Sequence, residues 1–345
     1  MVVTTLTSIN AATEPWRFSA QDVRRGLALK PKQLQSKYLY DPLGSQLFEA
    51  ICRLPWYGVT RAENRLIQRH VQEIISAVGD PTTIIELGSG SGEKLSILVS
   101  ALKHLGRRAR VHLVDISSTA LALSQRALRC FPDVVVTGHR STYEEGLRKL
   151  GDRKALDEAI IVLFLGSNIG NCDPATAHDL LCQIRKSLPG GGLLLLGADL
   201  IKREAEILLA YDDPLHVTAA FNKNLLVRLN RELQAEFDLH QFEHRAVWNA
   251  SVSRVESHLV SRCKQKIAIP GADCVVHFVE GESIWTESSY KYEPESVVAM
   301  GVKAGFCCRN QWIDEQDRGF VLTLFKVGQD LSHQPAKGKP KPSCL

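Results

Sequence analysis

Thr82-Thr-Ile-Ile-Glu-Leu87 runs directly into Gly88-Ser-Gly-Ser-Gly92 and then into a helix-forming stretch from Glu93 to Leu105. A β-branched run that ends in glycines and turns at once into a helix leaves few folds open. Glycine permits the tight turn and lets the backbone approach a ligand at the helix N-terminus. Strand–glycine turn–helix is the entry unit of doubly wound α/β sheets. The spacing is not that of a phosphate-binding G-x-x-x-x-G-K-[ST] loop, nor the G-x-G-x-x-G of dinucleotide folds.

The flanking pattern extends that unit. Arg61 to Val78 carries a helix-period apolar stripe, and Arg110 to Asp115, Val134 to Thr137, Ile160 to Leu165 and Leu193 to Leu196 read as further strands. Helical stretches at Ser118 to Leu128 and Ala175 to Leu188 separate them, predicting βαβ units and a parallel sheet covered on both faces. Beyond Asp199 the pattern changes. Pro214 to Leu233 reads as a helix. The segments at 245–249, 256–260, 266–269, 275–279 and 284–290 suit an antiparallel meander. Pro294 to Ala304 returns to helix and Phe320 to Val327 to strand. The expectation is a core of residues 62–203 and 293–327, with an α+β cap of residues 20–61 and 204–292 and flexible termini at 1–19 and 328–345.

Composition narrows the function classes. In 345 residues, 44% are hydrophobic and 23% charged, as in an ordinary globular protein, and the formal charge of +4 is too small for a nucleic-acid surface. No apolar run approaches the roughly 20 residues that cross a bilayer. Nine cysteines without a C-x-x-C pair read as reduced thiols in a cytoplasmic protein, not a disulfide framework or a metal cluster, so no metal is expected. The expected assembly is a monomer.

Asp115 ends the strand after the glycine turn, where an acid can accept hydrogen bonds from ribose hydroxyls; the competing role is to cap the helix starting near Ser118. Phe164-Leu-Gly-Ser-Asn-Ile-Gly-Asn171 stands at the carboxyl end of a strand, the edge where such sheets bind ligands. E-L-G-S-G-S-G followed by V-D-I-S resembles the first two motifs of S-adenosylmethionine-dependent methyltransferases. The Asn-Pro-Pro-aromatic loop of nucleobase methyltransferases is missing.

Several segments carry a closer likeness: Lys37-Tyr-Leu-Tyr-Asp-Pro-Leu-Gly-Ser-Gln-Leu-Phe48, Arg53-Leu-Pro-Trp-Tyr57, FLGSNIGN, Ala210-Tyr-Asp-Asp213 and Thr286-Glu-Ser-Ser-Tyr-Lys291. From about residue 20 to 327 the chain resembles the histidine-specific Nα-methyltransferases of ergothioneine biosynthesis, the EgtD family. The resemblance implies a Rossmann-like class I methyltransferase core, S-adenosylmethionine as methyl donor, S-adenosylhomocysteine as product, and a small amino acid as substrate. It implies threefold methylation of the α-amino group of L-histidine to hercynine. By motif position it puts Asn171, Tyr211, Tyr57 and Gly166 around the amino acid, with Tyr40 in the amine's hydrogen-bond network. Glu287 and Ser289 would grip the imidazole. Gly88, Ser89, Gly90, Lys94, Asp115, Thr142 and Tyr143 would serve the cofactor.

Without the resemblance, Glu287 would be read as a strand charge paired with Lys291, and Tyr40 and Tyr57 as half-buried packing. Two departures stand out. Ser141-Thr-Tyr143 replaces the family's Asp-aromatic pair at the adenine, and Ser257 replaces a methionine beside the substrate pocket. The second would make the pocket more polar. A relative acting on tryptophan or a modified tryptophan is the alternative, and a noncatalytic cofactor-binding protein a further one. An indole gains little from a buried carboxylate, which favours histidine.

Overall fold

A computed structural model describes residues 5–7, 17–151, 159–316 and 319–328. The chain begins β1 (Thr5–Thr7), α1 (Ala20–Ala28), β2 (Lys32–Gln33), α2 (Pro42–Ile51), α3 (Val59–Ser76), β3 (Thr82–Leu87), α4 (Glu93–His104), β4 (Ala109–Asp115) and α5 (Ser118–Ala127). It continues β5 (Val135–Arg140), α6 (Tyr143–Gly151), β6 (Ala159–Phe164), α7 (Pro174–Ser187), β7 (Leu193–Asp199), α8 (Glu204–Tyr211) and α9 (Val217–Leu233). Then come β8 (Phe242–Asn249), β9 (Arg254–Ser261), β10 (Gln265–Ile269), β11 (Cys274–Phe278), β12 (Ser283–Tyr290), α10 (Pro294–Lys303), β13 (Phe306–Ile313) and β14 (Phe320–Val327).

The large sheet has the order β1-β5-β4-β3-β6-β7-β14-β13. Pairing is parallel from β1 to β7, and β14 runs antiparallel to both its neighbours. Strand order reverses between β3 and β6, which places a ligand crevice beyond their carboxyl ends. The glycine turn follows β3 and the Gly166–Asn171 segment follows β6. Every residue of β3 and β7 is buried, as strands covered on both faces require.

The smaller sheet, β2-β12-β9-β8, departs from the predicted meander. β9 pairs with β12 directly, while β10 and β11 fold away as a separate hairpin. Alternating apolar residues give a strand's existence but not its partner. β13 and the helices α6 and α8 were not predicted. The predicted helix start at Pro214 shifts to Val217, because Asp213 accepts hydrogen bonds from the backbone N–H groups of Leu215, Val217 and Thr218 and holds a turn there. Thr5–Thr7, expected to be flexible, forms an edge strand against β5. The tail from Gln329 lies outside the described residues.

Asp41 joins α2 to α9. It caps α2 through the Gly44 N–H and takes hydrogen bonds from Asn224 and Arg231 of α9. The guanidinium beside it holds its carboxyl below the usual range although burial opposes this. That clamp sets α2, and with it Tyr40 and Phe48, against α9.

Candidate active site

Two cavities meet at the carboxyl edge of β3 and β6. The larger, about 370 Å³, is lined by the glycine turn Gly88–Gly92, Glu86, Lys94, Asn64 and Cys52. The smaller, about 30 Å³, is lined by Tyr40, Tyr57, Asn171, Tyr211, Glu287 and Ser289, with Thr218 and Phe221 of α9. Phe48, Tyr57, Gly166 and Asn168 border both. All seven residues that the sequence placed around the amino acid or its amine thus surround one space. Of the cofactor set, Gly88, Ser89, Gly90 and Lys94 line the larger cavity.

The glycine turn forms a cradle that is tightest at Gly88. Gly88 has φ +80°, and a Cβ there would lie 2.4 Å from Asn168 Nδ2 and 2.9 Å from the Tyr143 hydroxyl. Asp115 holds the turn by accepting from the Ser89 N–H at 2.9 Å. Its other oxygen accepts from the Ser117 N–H at 2.8 Å. Burial raises its pKa, and these hydrogen bonds partly offset the rise. Asp115 is therefore not the helix cap of the competing reading: Ser117 Oγ takes the Ala120 N–H and caps α5. Asp115 and Tyr143 stand beside the turn rather than among the cavity-lining residues. Tyr143 packs edge-on against Phe164 at 5.4 Å. Thr142 does not border the cavity; its hydroxyl accepts from the Glu145 N–H and starts α6.

Two acids were missed. Glu63, fully buried on α3, accepts the Gly166 N–H on both oxygens at 2.9 Å and pairs with Lys94 at 2.5 Å. Burial works against the Lys94 ammonium, but Glu63 more than compensates and its pKa is raised. Gly197 must be glycine to admit this carboxylate, since a Cβ there would lie 2.0 Å from Glu63 Oε1. The signal was available: Glu63 interrupts the apolar stripe of Ala62, Leu66 and Ile67. Glu86, inside β3, is pushed up to about 8 by burial, and its Oε2 has no hydrogen-bond partner among the described residues. An unpartnered buried oxygen on the cavity wall, beside a glycine cradle, suits a cofactor bearing an ammonium and hydroxyl groups.

The smaller cavity is polar at one end. Lys291 pairs with Asp199 at 2.6 Å and donates to the Tyr211 hydroxyl at 2.7 Å and to Ser289 Oγ at 3.0 Å. Tyr211 and Ser289 are themselves 2.9 Å apart. Lys291 is thus committed to Asp199, and the Glu287–Lys291 pair of the competing reading does not form. Glu287 instead faces the cavity, and burial raises it to about 7 despite the attraction of Lys291. Tyr40 and Tyr57 are packed among aromatics, Tyr40 against Phe48 and Phe221 and Tyr57 against Tyr211, yet both border the cavity. Burial holds both phenols well above their ordinary pKa, so they remain neutral hydroxyls. Ser257 is buried opposite Glu287 on β9 but does not line the cavity, so the expected gain in pocket polarity is not realised there.

Known proteins give this arrangement a context. Residues 19–327 match the model of the family described as histidine-specific methyltransferase, SAM-dependent. The histidine N-alpha-methyltransferase of Mycolicibacterium smegmatis is 40% identical over 309 residues, 88% of this chain and 94% of that protein. That of Mycobacterium tuberculosis is 38% identical, over 86% of this chain and 91% of its own length. Ergothioneine biosynthesis protein 1 of Schizosaccharomyces pombe is 27% identical, over 79% of this chain but 36% of that protein. With a glycine cradle after β3, a capped small cavity beside it and a family match spanning both, the chain belongs to the SAM-dependent, histidine-specific methyltransferases.

Proposed function

We propose that the protein transfers three methyl groups in succession from S-adenosylmethionine to the α-amino nitrogen of L-histidine, giving hercynine, the opening step of ergothioneine biosynthesis. The observation that carries this reading is Glu287: a half-buried carboxylate facing a small cavity that shares a wall with the glycine cradle. When bound, the cofactor supplies an electrophilic methyl on sulfonium. Gly88, Ser89, Gly90 and Lys94 would hold it, with Asp115 ordering the turn and Tyr143 beside it. Thr142 would act only through α6.

The protein's own contribution is position and charge. Methyl transfer needs little acid–base chemistry beyond removal of the amine's proton, so holding nitrogen and methyl in line accounts for much of the rate. The Tyr40 and Tyr57 hydroxyls and the Asn171 amide would accept N–H bonds from the amine and turn its lone pair toward the shared wall. Tyr211, fixed by Lys291, would hold the carboxylate end. Glu287 accepts an imidazole N–H, with Ser289 beside it. A carboxylate left unpaired there is costly, so side chains without a donor are rejected.

Mass spectrometry of the purified protein with S-adenosylmethionine and each amino acid in turn tests this. Trimethylated histidine is expected. Methylation of tryptophan or a modified tryptophan, with histidine untouched, would overturn the substrate assignment. The same proposal takes residues 62–203 with 293–327 as the cofactor unit and 20–61 with 204–292 as the cap. The enzyme would act as a cytoplasmic monomer without nucleic-acid or membrane partners. No helix among the described residues is long and apolar enough to cross a membrane.

A further inference from the structure

Glu287 owes its direction to a defect in the sheet. Opposite β9, Trp285 pairs with His258 and Glu287 with Ser257, so Thr286 is one residue too many and β12 bulges. In an unbroken strand Glu287 would share Trp285's face. The bulge turns it instead to the buried face, with Ser257 and Ser289. Two backbone carbonyls flanking the bulge have identified donors. The Trp285 C=O accepts the Leu34 N–H at 2.9 Å. The Glu287 C=O accepts the Trp285 indole N–H at 2.8 Å.

That indole is itself held from the outer face of the sheet. The Arg254 guanidinium lies over it at 4.4 Å, and the His258 ring stacks against it at 6.2 Å and 26°. Arg254 is anchored in turn by Glu256 and by the Tyr290 hydroxyl at 2.8 Å. Glu256 also meets His258 at 3.2 Å. Glu287 has no side-chain hydrogen bond or ion pair among the described residues, and Lys291 acts on it only at longer range. With no polar tether on the side chain, the held Glu287 C=O is the polar contact that fixes where the side chain departs.

We propose that Trp285, steadied by Arg254, is a positioning residue for Glu287, so that selectivity for the imidazole is set from the far face of the cap sheet, outside the substrate cavity. Trp285 touches no substrate; it fixes the peptide from which the Glu287 side chain departs. The proposal rests on the reading of Glu287 as the imidazole acceptor.

A double-mutant cycle on the full-length enzyme tests it, using W285F, E287Q and the double variant. W285F keeps an aromatic ring under Arg254 but removes the N–H. The expected result is a rise of about fivefold in KM for histidine, as befits one lost hydrogen bond. S-adenosylmethionine affinity should stay unchanged and kcat should move little. In the E287Q background the same substitution should leave KM within about twofold. An equal effect in both backgrounds, or none in either, overturns the proposal while leaving Glu287's role intact. If E287Q alone does not alter histidine KM, both the role and the proposal fall. Should W285F fold poorly, R254K runs the same cycle, since lysine keeps the charge but not the planar stack. A rise in KM that vanishes with E287Q is again expected, and one that persists is decisive against it.

Discussion

The two cavities are built on opposite plans. The cradle side is organised around one turn of consecutive residues, Gly88–Gly92, tied by one aspartate from the next strand and faced by side chains of α2, α3 and α4. The amino-acid side is made of side chains gathered from α2 and the turn before it, the segment after β6, α8, α9 and β12. Backbone groups can recognise what many ligands share, because every residue supplies the same N–H and C=O. Side chains recognise what sets one ligand apart. On the proposed assignment, affinity for a common cosubstrate leans on the turn and selection of one amino acid on the scattered side chains, and substitutions on the two sides should fail in different ways.

The harshest test of that contrast is G88A. The added methyl meets Asn168 and Tyr143 at a backbone conformation that side chains rarely adopt. S-adenosylmethionine affinity should fall by more than about 100-fold in calorimetric titration. E287A should do the reverse: kcat/KM for histidine drops about 100-fold while cofactor affinity stays within about twofold. Equal losses of both would erase the distinction.

A milder signature lies in stability. Burial raises Glu287 to about 7 and Glu86 to about 8, above their ordinary 4.5. The folded protein keeps these protons where the unfolded chain has released them, so stability falls as pH rises through that window. Each of E287Q and E86Q should flatten the fall in Tm of the ligand-free enzyme seen by scanning calorimetry between about pH 5 and 8. A fall as steep as the wild type's in both would show that neither carboxyl is a buried acid.

The smallest effect is expected from T142A. It removes a helix-starting hydroxyl for about 1 kcal/mol of stability. Cofactor affinity, by equilibrium binding, should hardly change; a tenfold loss would move Thr142 into the cofactor site.

Legibility from the sequence followed the same divide. The cradle is contiguous, and glycines after a β-branched run announce it through local geometry alone. The core strands were legible because they are continuous apolar runs. The amino-acid side was visible only through resemblance, since no local rule connects Tyr40 with Glu287 across the chain. Periodicity even pointed Glu287 the wrong way: a strand reading makes it an exposed partner of Lys291, and only the bulge and the Asp199 pairing of Lys291 reverse that. Glu63 was overlooked although a carboxylate in an apolar stripe is a local signal. Its partners, the Gly166 N–H and Lys94, belong to other elements. Strand pairing in the cap was misread for the same reason, because the hairpin of β10 and β11 leaves β9 free to find β12.

The wall of Phe48, Tyr57, Gly166 and Asn168 has two faces, and neither can be reshaped alone. Its smaller side bounds a space of about 30 Å³, so the residues that border the cradle also limit what can sit beside it. Whatever a filled cradle does to the affinity for the amino acid, the amino acid must return to the cradle by the same factor. Any coupling across that wall is reciprocal, so the occupancy of one cavity and the binding constant of the other change together or not at all.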